Sequence, residues 1–312
     1  MKKQLILQSD LTLKEAFDKF QKANKLKNLS APTIDYYQDG YSKFLKFNPD
    51  ENLPLNQINS EFIKDYTGYL MGSTKSMISV NTYLRSFRTF LYWCADMGYL
   101  TRFKVSSIKS EKPIKQIYTD AELAILVKRP LVKKCTFAEY RNYVICCFLL
   151  GTGVRVASAV NIQIKDIDLN NEMIILKHTK NKKQQIIPIS SSLSKVLIEY
   201  LGFRDGEPED YLFCTSFGKQ LSAVGFEQAI RYYSEAKGLS NCGAHKFRHT
   251  FAYHYIKNGG EVVRLQKILG HSSLQITQNY VNMFGLDLKD NLDKYNPLDA
   301  FMGRNKEKIK MK

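Results

Sequence analysis

Over residues 1–100 the apolar positions recur at helical spacing. Thr12-Leu-Lys-Glu15 has the spacing of a capping box, in which the threonine hydroxyl and the glutamate carboxylate satisfy each other's backbone N–H groups, and Leu13, Ala16, Phe17, Phe20 and Ala23 follow on one face. A second helix is predicted from Ser30-Ala-Pro-Thr33, with proline near the first helical position where no N–H is needed, and with Ile34, Tyr37, Tyr41, Phe44 and Leu45 recurring after it. Past the Asn48-Pro49 turn come a shorter helix over about 60–71 and a long one opened by Ser79, whose buried stripe is Val80, Tyr83, Leu84, Phe87, Phe90, Leu91 and Cys94. Arg85 and Arg88 fall off that stripe one turn apart and are predicted to face outward.

From Thr101 to Tyr118 the period stops. Arg102, Lys104, Lys109, Lys112 and Lys115 gather there around Pro113, which predicts a basic interdomain linker, able to cross a phosphate backbone or simply to stand solvated. A new capping box, Thr119-Asp-Ala-Glu122, opens a second region that continues into an apolar helix through Tyr143, Val144, Cys147 and Leu150. Beyond Arg155, short β-rich runs at 167–169, 173–176 and 186–189, the last two separated by a lysine-rich turn, predict a small antiparallel sheet. Helical patterning returns over 191–202, 222–237, 244–257, 261–269 and 273–281. The expected fold is mainly α with a small antiparallel β-sheet: a helical domain over 1–100, a linker over 101–118, a mixed domain over 119–300 and a basic tail over 301–312.

Composition adds a partner. The length of 312 residues fits two ordinary domains, and 44% hydrophobic with 24% charged residues is the balance of a folded globular chain. A formal net charge of +16, spread along the chain, suits a polyanion held across a wide surface, since each neutralised phosphate releases counterions. A solubilising surface is the alternative reading of the same charge. None of the six cysteines has C-x-x-C spacing, so a reducing compartment and no structural metal are expected. The basic start at Met1-Lys2-Lys3 reaches Gln8-Ser9-Asp10 too soon for a signal peptide, and no apolar run approaches membrane-spanning length. A cytoplasmic, nucleoid-associated protein with no membrane partner is expected.

The residues that could carry chemistry are weak signals one by one. A histidine beside an arginine on a basic helix, as in His245-Lys-Phe-Arg-His249, is more often a surface group than a catalytic one. Their order and spacing change that. Gly151-Thr-Gly-Val-Arg155 follows an apolar helix, Lys180 sits in the turn between two predicted strands, and His245 and Arg248 share a helical face. Leu269-Gly-His271 closes a short helix, and Tyr280 stands nine residues later. This series resembles the catalytic signature of the tyrosine recombinase (phage integrase) family: Arg, Lys, His-x-x-Arg, His or Trp, then Tyr. The densest stretches are His245 to Ala252 and Leu269 to Ser273 with Tyr280.

The resemblance implies a C-shaped clamp on duplex DNA, with a helical core-binding domain and a catalytic domain of the DNA breaking-rejoining type. It makes Tyr280 the nucleophile of a 3′-phosphotyrosyl intermediate. Arg155 and Arg248 would clamp the phosphate, because a planar guanidinium stays charged and can bind two oxygens at once. His245 would donate or carry a proton near a helix N-terminus, and His271 would complete the oxyanion cage. Lys180 would protonate the departing 5′-oxygen; it is chosen over Lys182 and Lys183 by counting back from Pro188. Neither a nucleotide, a metal nor another cofactor is required, because the phosphotyrosine bond keeps the energy of the phosphodiester. Arg85, Arg88, Lys109 and Lys115 are candidate DNA-backbone contacts. A homotetramer on two DNA sites, a dimer per site, is implied, with Leu286, Leu288, Leu292 and Leu298 docking on a neighbour and with accessory DNA-bending or directionality factors as possible partners. Two departures stand out: Ser158 occupies the place of the usual acid, and no arm-binding domain precedes the helical region, as in the Xer-like or small-transposon plan. Integration, excision or inversion of a mobile element is the expected role. The alternatives are Xer-type dimer resolution, a catalytically silent DNA-binding regulator, and a monomeric type IB topoisomerase.

Overall fold

Both capping boxes form as their spacing requires: Thr12 and Thr119 accept from the backbone of Glu15 and Glu122, whose carboxylates accept in return. The computed structural model describes residues 11–110, 115–177, 184–283 and Leu298, and the chain divides into two units, Met1–Pro113 and Ile114–Lys312.

In the first unit, α1 (Leu13–Leu26), α2 (Ala31–Leu45), α3 (Ser60–Ser73) and α4 (Met77–Asp96) bury the faces that their periodicity marks, with α4 packed on the other three. The core is aromatic: Phe44 stacks on Phe87 at 4.1 Å and Phe17 on Tyr41 at 3.9 Å between ring centroids. Gly40 lets α2 approach α4, since a Cβ there would lie 2.1 Å from Ser86 Oγ. Arg85 is exposed as expected, whereas Arg88 is half-buried and donates to the Val105 carbonyl at 3.4 Å.

The stretch read as a linker is packed at both ends. Phe103, Val105 and Ile108 join the first core, and Asn81 bonds both backbone groups of Ile108 at 2.9 Å. Tyr118 is 1% exposed in the second core, and its N–H donates to Thr250 Oγ1 at 2.9 Å. The lysines and arginine of this segment mask apolar anchors spaced too widely to show a period.

In the second unit the helix opened by Thr119 is short. The elements are α5 (Asp120–Leu126) and α6 (Phe137–Thr152), not one continuous helix; Pro130 falls between them, and Thr136 caps α6 anew. After the single turn α7 (Val156–Ala159) come β1 (Ile167–Asp168), β2 (Met173–Leu176) and β3 (Gln185–Pro188), antiparallel in the order β1-β2-β3, with Ile174 opposite Ile187. Then follow α8 (Ser191–Arg204), α9 (Ala223–Glu235), α10 (Ala244–Lys257), α11 (Val262–Leu269) and α12 (Leu274–Met283). Helix α6 is buried almost all round, against α8, α9 and α10, which explains why its sequence is nearly continuously apolar. The turn with Lys180, Lys182 and Lys183, the positions Leu286, Leu288 and Leu292, and the basic tail lie outside the described residues. Among the described residues no helix is long and apolar enough to cross a membrane.

Candidate active site

The site forms where the ends of α6 and α11 meet the first turns of α10. Helix α6 stops at Gly153, which adopts the left-handed conformation (φ 62°), and the chain turns so that Arg155 caps α7. Helix α11 stops in the same way at Gly270 (φ 61°). Both ends leave carbonyls without helical partners, and the arginines take them. Arg248 Nη1 donates to the Gly153 carbonyl at 2.7 Å and Nη2 to the Leu269 carbonyl at 2.7 Å, while Arg155 Nη1 donates to Leu269 at 3.2 Å. The negative ends of two helix dipoles thus hold two cations side by side.

Burial and the neighbouring Arg155 push the Arg248 guanidinium down to about 10, and burial also lowers Arg155; both remain charged at neutral pH. The third member is His271. Its Nε2 lies 2.8 Å from Arg248 Nη2 and its Nδ1 2.8 Å from Thr277 Oγ1. Burial, then Arg248, Arg155 and Lys115, push this imidazole down to about 4.

Tyr280, on α12, is 2% exposed and packs against Ala252, Leu265 and Leu269. Its ring lies parallel to that of His271, 6.1 Å between centroids, and Lys115 Nζ stands 4.5 Å from the ring centre. Burial raises the phenol pKa, while the charge of Arg248, a hydrogen bond from it and the charge of Arg155 work in the other direction. The phenol is therefore protonated at rest, with two guanidiniums placed to favour its anion.

Of the residues singled out from the sequence, Arg155, Arg248, His271 and Tyr280 come together. His245 is exposed on the first turn of α10 and lines, with Arg155 and Arg248, a cleft of about 780 Å³. The N–H of Ala244 donates to Glu227 Oε2 at 3.2 Å, so a carboxylate already sits at that helix N-terminus. Lys115 belongs here, over Tyr280, whereas Arg85, Arg88 and Lys109 lie in the other unit. Ser158 is buried, and its N–H donates to the Arg155 carbonyl at 2.9 Å.

Three residues escaped the sequence reading. His249 Nδ1 lies 2.9 Å from Tyr280 Oη, Thr277 holds His271, and Gln185 Nε2 donates to the carbonyls of Lys267 and Ile268 at 2.8 and 2.6 Å, tying the start of β3 to the end of α11. For His249 a signal was present: it stands one turn beyond His245 on the same face.

Comparison with known proteins gives the family and the fold. The family model described as "Phage integrase family" matches residues 122–285, and "Phage integrase SAM-like domain" matches residues 12–110. The chain is similar to tyrosine recombinase XerC of Staphylococcus aureus (strain USA300), 29% identical over 275 residues that cover 84% of this chain and 90% of the relative. Its fold is similar to that of the Tn1549 transposon integrase in complex with transposon right end DNA (TM-score 0.74, 18% identity, 86% of this chain and 94% of that one). It is also similar to that of a lambda integrase dimer bound to a COC′ core site (TM-score 0.71, 19% identity, 97% and 100%). The chain belongs to the phage integrase family, the tyrosine site-specific DNA recombinases.

Proposed function

We propose that the protein cleaves and rejoins duplex DNA at a specific site through a 3′-phosphotyrosyl intermediate on Tyr280. The observation that carries this reading is the placement of the Tyr280 phenol beside Arg248 and Arg155 in a buried, doubly cationic site. Attack of Oη on the scissile phosphorus builds negative charge on the non-bridging oxygens, and two guanidiniums already fixed by carbonyls stabilise it without reorganising. His271 serves the cage through Arg248, whose Nη2 donates to it. His245, exposed on the cleft wall, is assigned to the phosphate as a donor.

The general acid for the 5′-oxygen is assigned to Lys180 on the resemblance and on its register from Pro188. The released 5′-hydroxyl then attacks the phosphotyrosine, which retains the phosphodiester energy, so religation needs no nucleotide. Lys115 acts at the scissile phosphate, while Arg85, Arg88 and Lys109 hold backbone phosphates farther along the duplex. Four protomers on two sites complete an exchange.

In the cell the reaction is read as integration, excision or inversion of a mobile element. Resolution of chromosome or plasmid dimers is the second reading, favoured by the 29% identity to XerC. A silent DNA-binding regulator would have no use for a tyrosine held between arginines. The test is a duplex carrying the site mapped by nuclease protection next to the protein's own gene, nicked so that a short 5′-hydroxyl fragment is lost. Wild-type protein should give a detergent-stable adduct, and Tyr280→Phe should bind without forming one.

A further inference from the structure

The phenol proton of Tyr280 must go somewhere as the tyrosine attacks. Arg155 and Arg248 carry donors only, and Lys115, whose pKa burial and Arg248 lower, stands over the face of the ring, 4.5 Å from its centre. His271 Nε2 is occupied by Arg248. His249 is different: its Nδ1 lies 2.9 Å from Tyr280 Oη, with the two rings 5.6 Å apart between centroids.

The direction of that bond follows from the donors around it. Arg248 can only donate, and its charge beside the phenol favours an oxygen that gives its own proton to His249. Nδ1 is then the acceptor, and the ring proton sits on Nε2. We propose that His249 is a catalytic residue of this protein, the base that takes the Tyr280 proton during strand cleavage and returns it during religation.

The step balances. As Oη bonds to phosphorus, its proton passes to His249 Nδ1 and the P–O5′ bond breaks, the 5′-oxygen being protonated by the general acid assigned to Lys180; religation reverses each transfer. The surroundings keep the base unprotonated at rest. Burial, then Lys115, His245 and Arg248, push His249 down to about 4. His249 lines a second, smaller cleft with Lys115, Glu227, His245 and Lys246, the Glu227 carboxylate being the group there that can offset an imidazolium. So weak a base takes the proton only as the O–P bond forms and the tyrosyl oxygen loses its basicity, which couples proton transfer to phosphoryl transfer.

This inference rests on Tyr280 as nucleophile, and the experiment separates the two. Single-turnover adduct formation is followed on the nicked duplex described above from pH 5 to 10, with DNA affinity measured in parallel, for wild type, Tyr280→Phe, His249→Ala and His249→Asn. Adduct in Tyr280→Phe would overturn the nucleophile itself. If His249 is the base, His249→Ala slows the adduct ~10²-fold or more at pH 7. It recovers as pH rises and hydroxide substitutes, and added imidazole restores part of the rate. His249→Asn keeps an acceptor oxygen near the place of Nδ1 but cannot take a proton, so it stays as slow as His249→Ala. Wild-type rates in His249→Asn would overturn the proposal in favour of mere positioning. A measurement that needs no variant is the ¹⁵N spectrum of wild-type protein labelled at histidine, where His249 should show an unprotonated Nδ1 and a protonated Nε2. A proton on Nδ1 at neutral pH would also overturn it.

Discussion

Arg248 Nη2 donates to His271 Nε2 across 2.8 Å, and because a guanidinium has no acceptor this bond fixes His271 as a neutral imidazole with its proton on Nδ1. That proton goes to Thr277 Oγ1 at 2.8 Å, one turn before Tyr280 on the same helix. The nucleophile's helix and the phosphate clamp are thus joined through His271. Thr277→Val, which keeps the shape and removes the acceptor, should leave DNA affinity unchanged and slow adduct formation about 10-fold, the size of one buried hydrogen bond of 1–2 kcal/mol. Thr277→Ser should restore the rate.

The same histidine makes stability depend on pH. Its folded value of about 4 lies below the 6.5 of an unfolded histidine, so the unfolded chain binds more protons between those values. Stability is therefore full above pH 6.5 and is lost as pH falls toward 4. At pH 5 His271 alone costs on the order of 2 kcal/mol, and the half-exposed His249, shifted the same way, adds less. Urea unfolding at pH 7 and pH 5 should show the loss, and His271→Gln should reduce the difference between the two.

Gly153 is the hinge on which the first arginine is placed. It has φ 62°, and a Cβ there would lie 2.6 Å from Phe251 Cδ1 and 2.9 Å from Leu269 Cδ2, so an added methyl group meets both backbone strain and packed side chains. Gly153→Ala should destabilise the protein by about 2 kcal/mol or more in urea unfolding. It should also abolish the adduct, because the Gly153 carbonyl holds Arg248.

What could be read from the sequence was local. The capping boxes at Thr12 and Thr119 form, and the helix over 244–257 has the expected bounds, because both follow from neighbours within one or two turns. Arg155, Arg248, His271 and Tyr280 could be named because their order resembles a family pattern. Thr277 and Gln185 could not be, since their partners are fixed by how α11, α12 and β3 pack, and Gln185 is 82 residues from Lys267. Arg88 is less exposed than its place off the stripe implies for the same reason: the Val105 carbonyl returns to it and leaves it half-buried. The break between α5 and α6 was legible at Pro130 and was overridden by the apolar run beyond it.

Lys180 and Arg88 separate proton transfer from charge. With Lys180 as general acid, Lys180→Ala should retain DNA affinity and cleave ~10²-fold more slowly, and a 5′-bridging sulfur, which leaves as a thiolate without protonation, should rescue it. Arg88→Ala should weaken binding and lower the slope of log affinity against log salt by about one, with no sulfur rescue. Rescue of Lys182→Ala or Lys183→Ala in place of Lys180→Ala would move the acid along the turn.

In the proposed reaction a DNA 3′-phosphate becomes bonded to the Tyr280 oxygen. The most direct measurement is protease digestion of the trapped adduct, nuclease trimming of the DNA and mass spectrometry of the modified peptide. The expected result is a nucleotide 3′-phosphate on the peptide containing Tyr280, with fragment ions placing it on that residue. A nucleotide on another residue, or attached through a 5′-phosphate, would contradict the account.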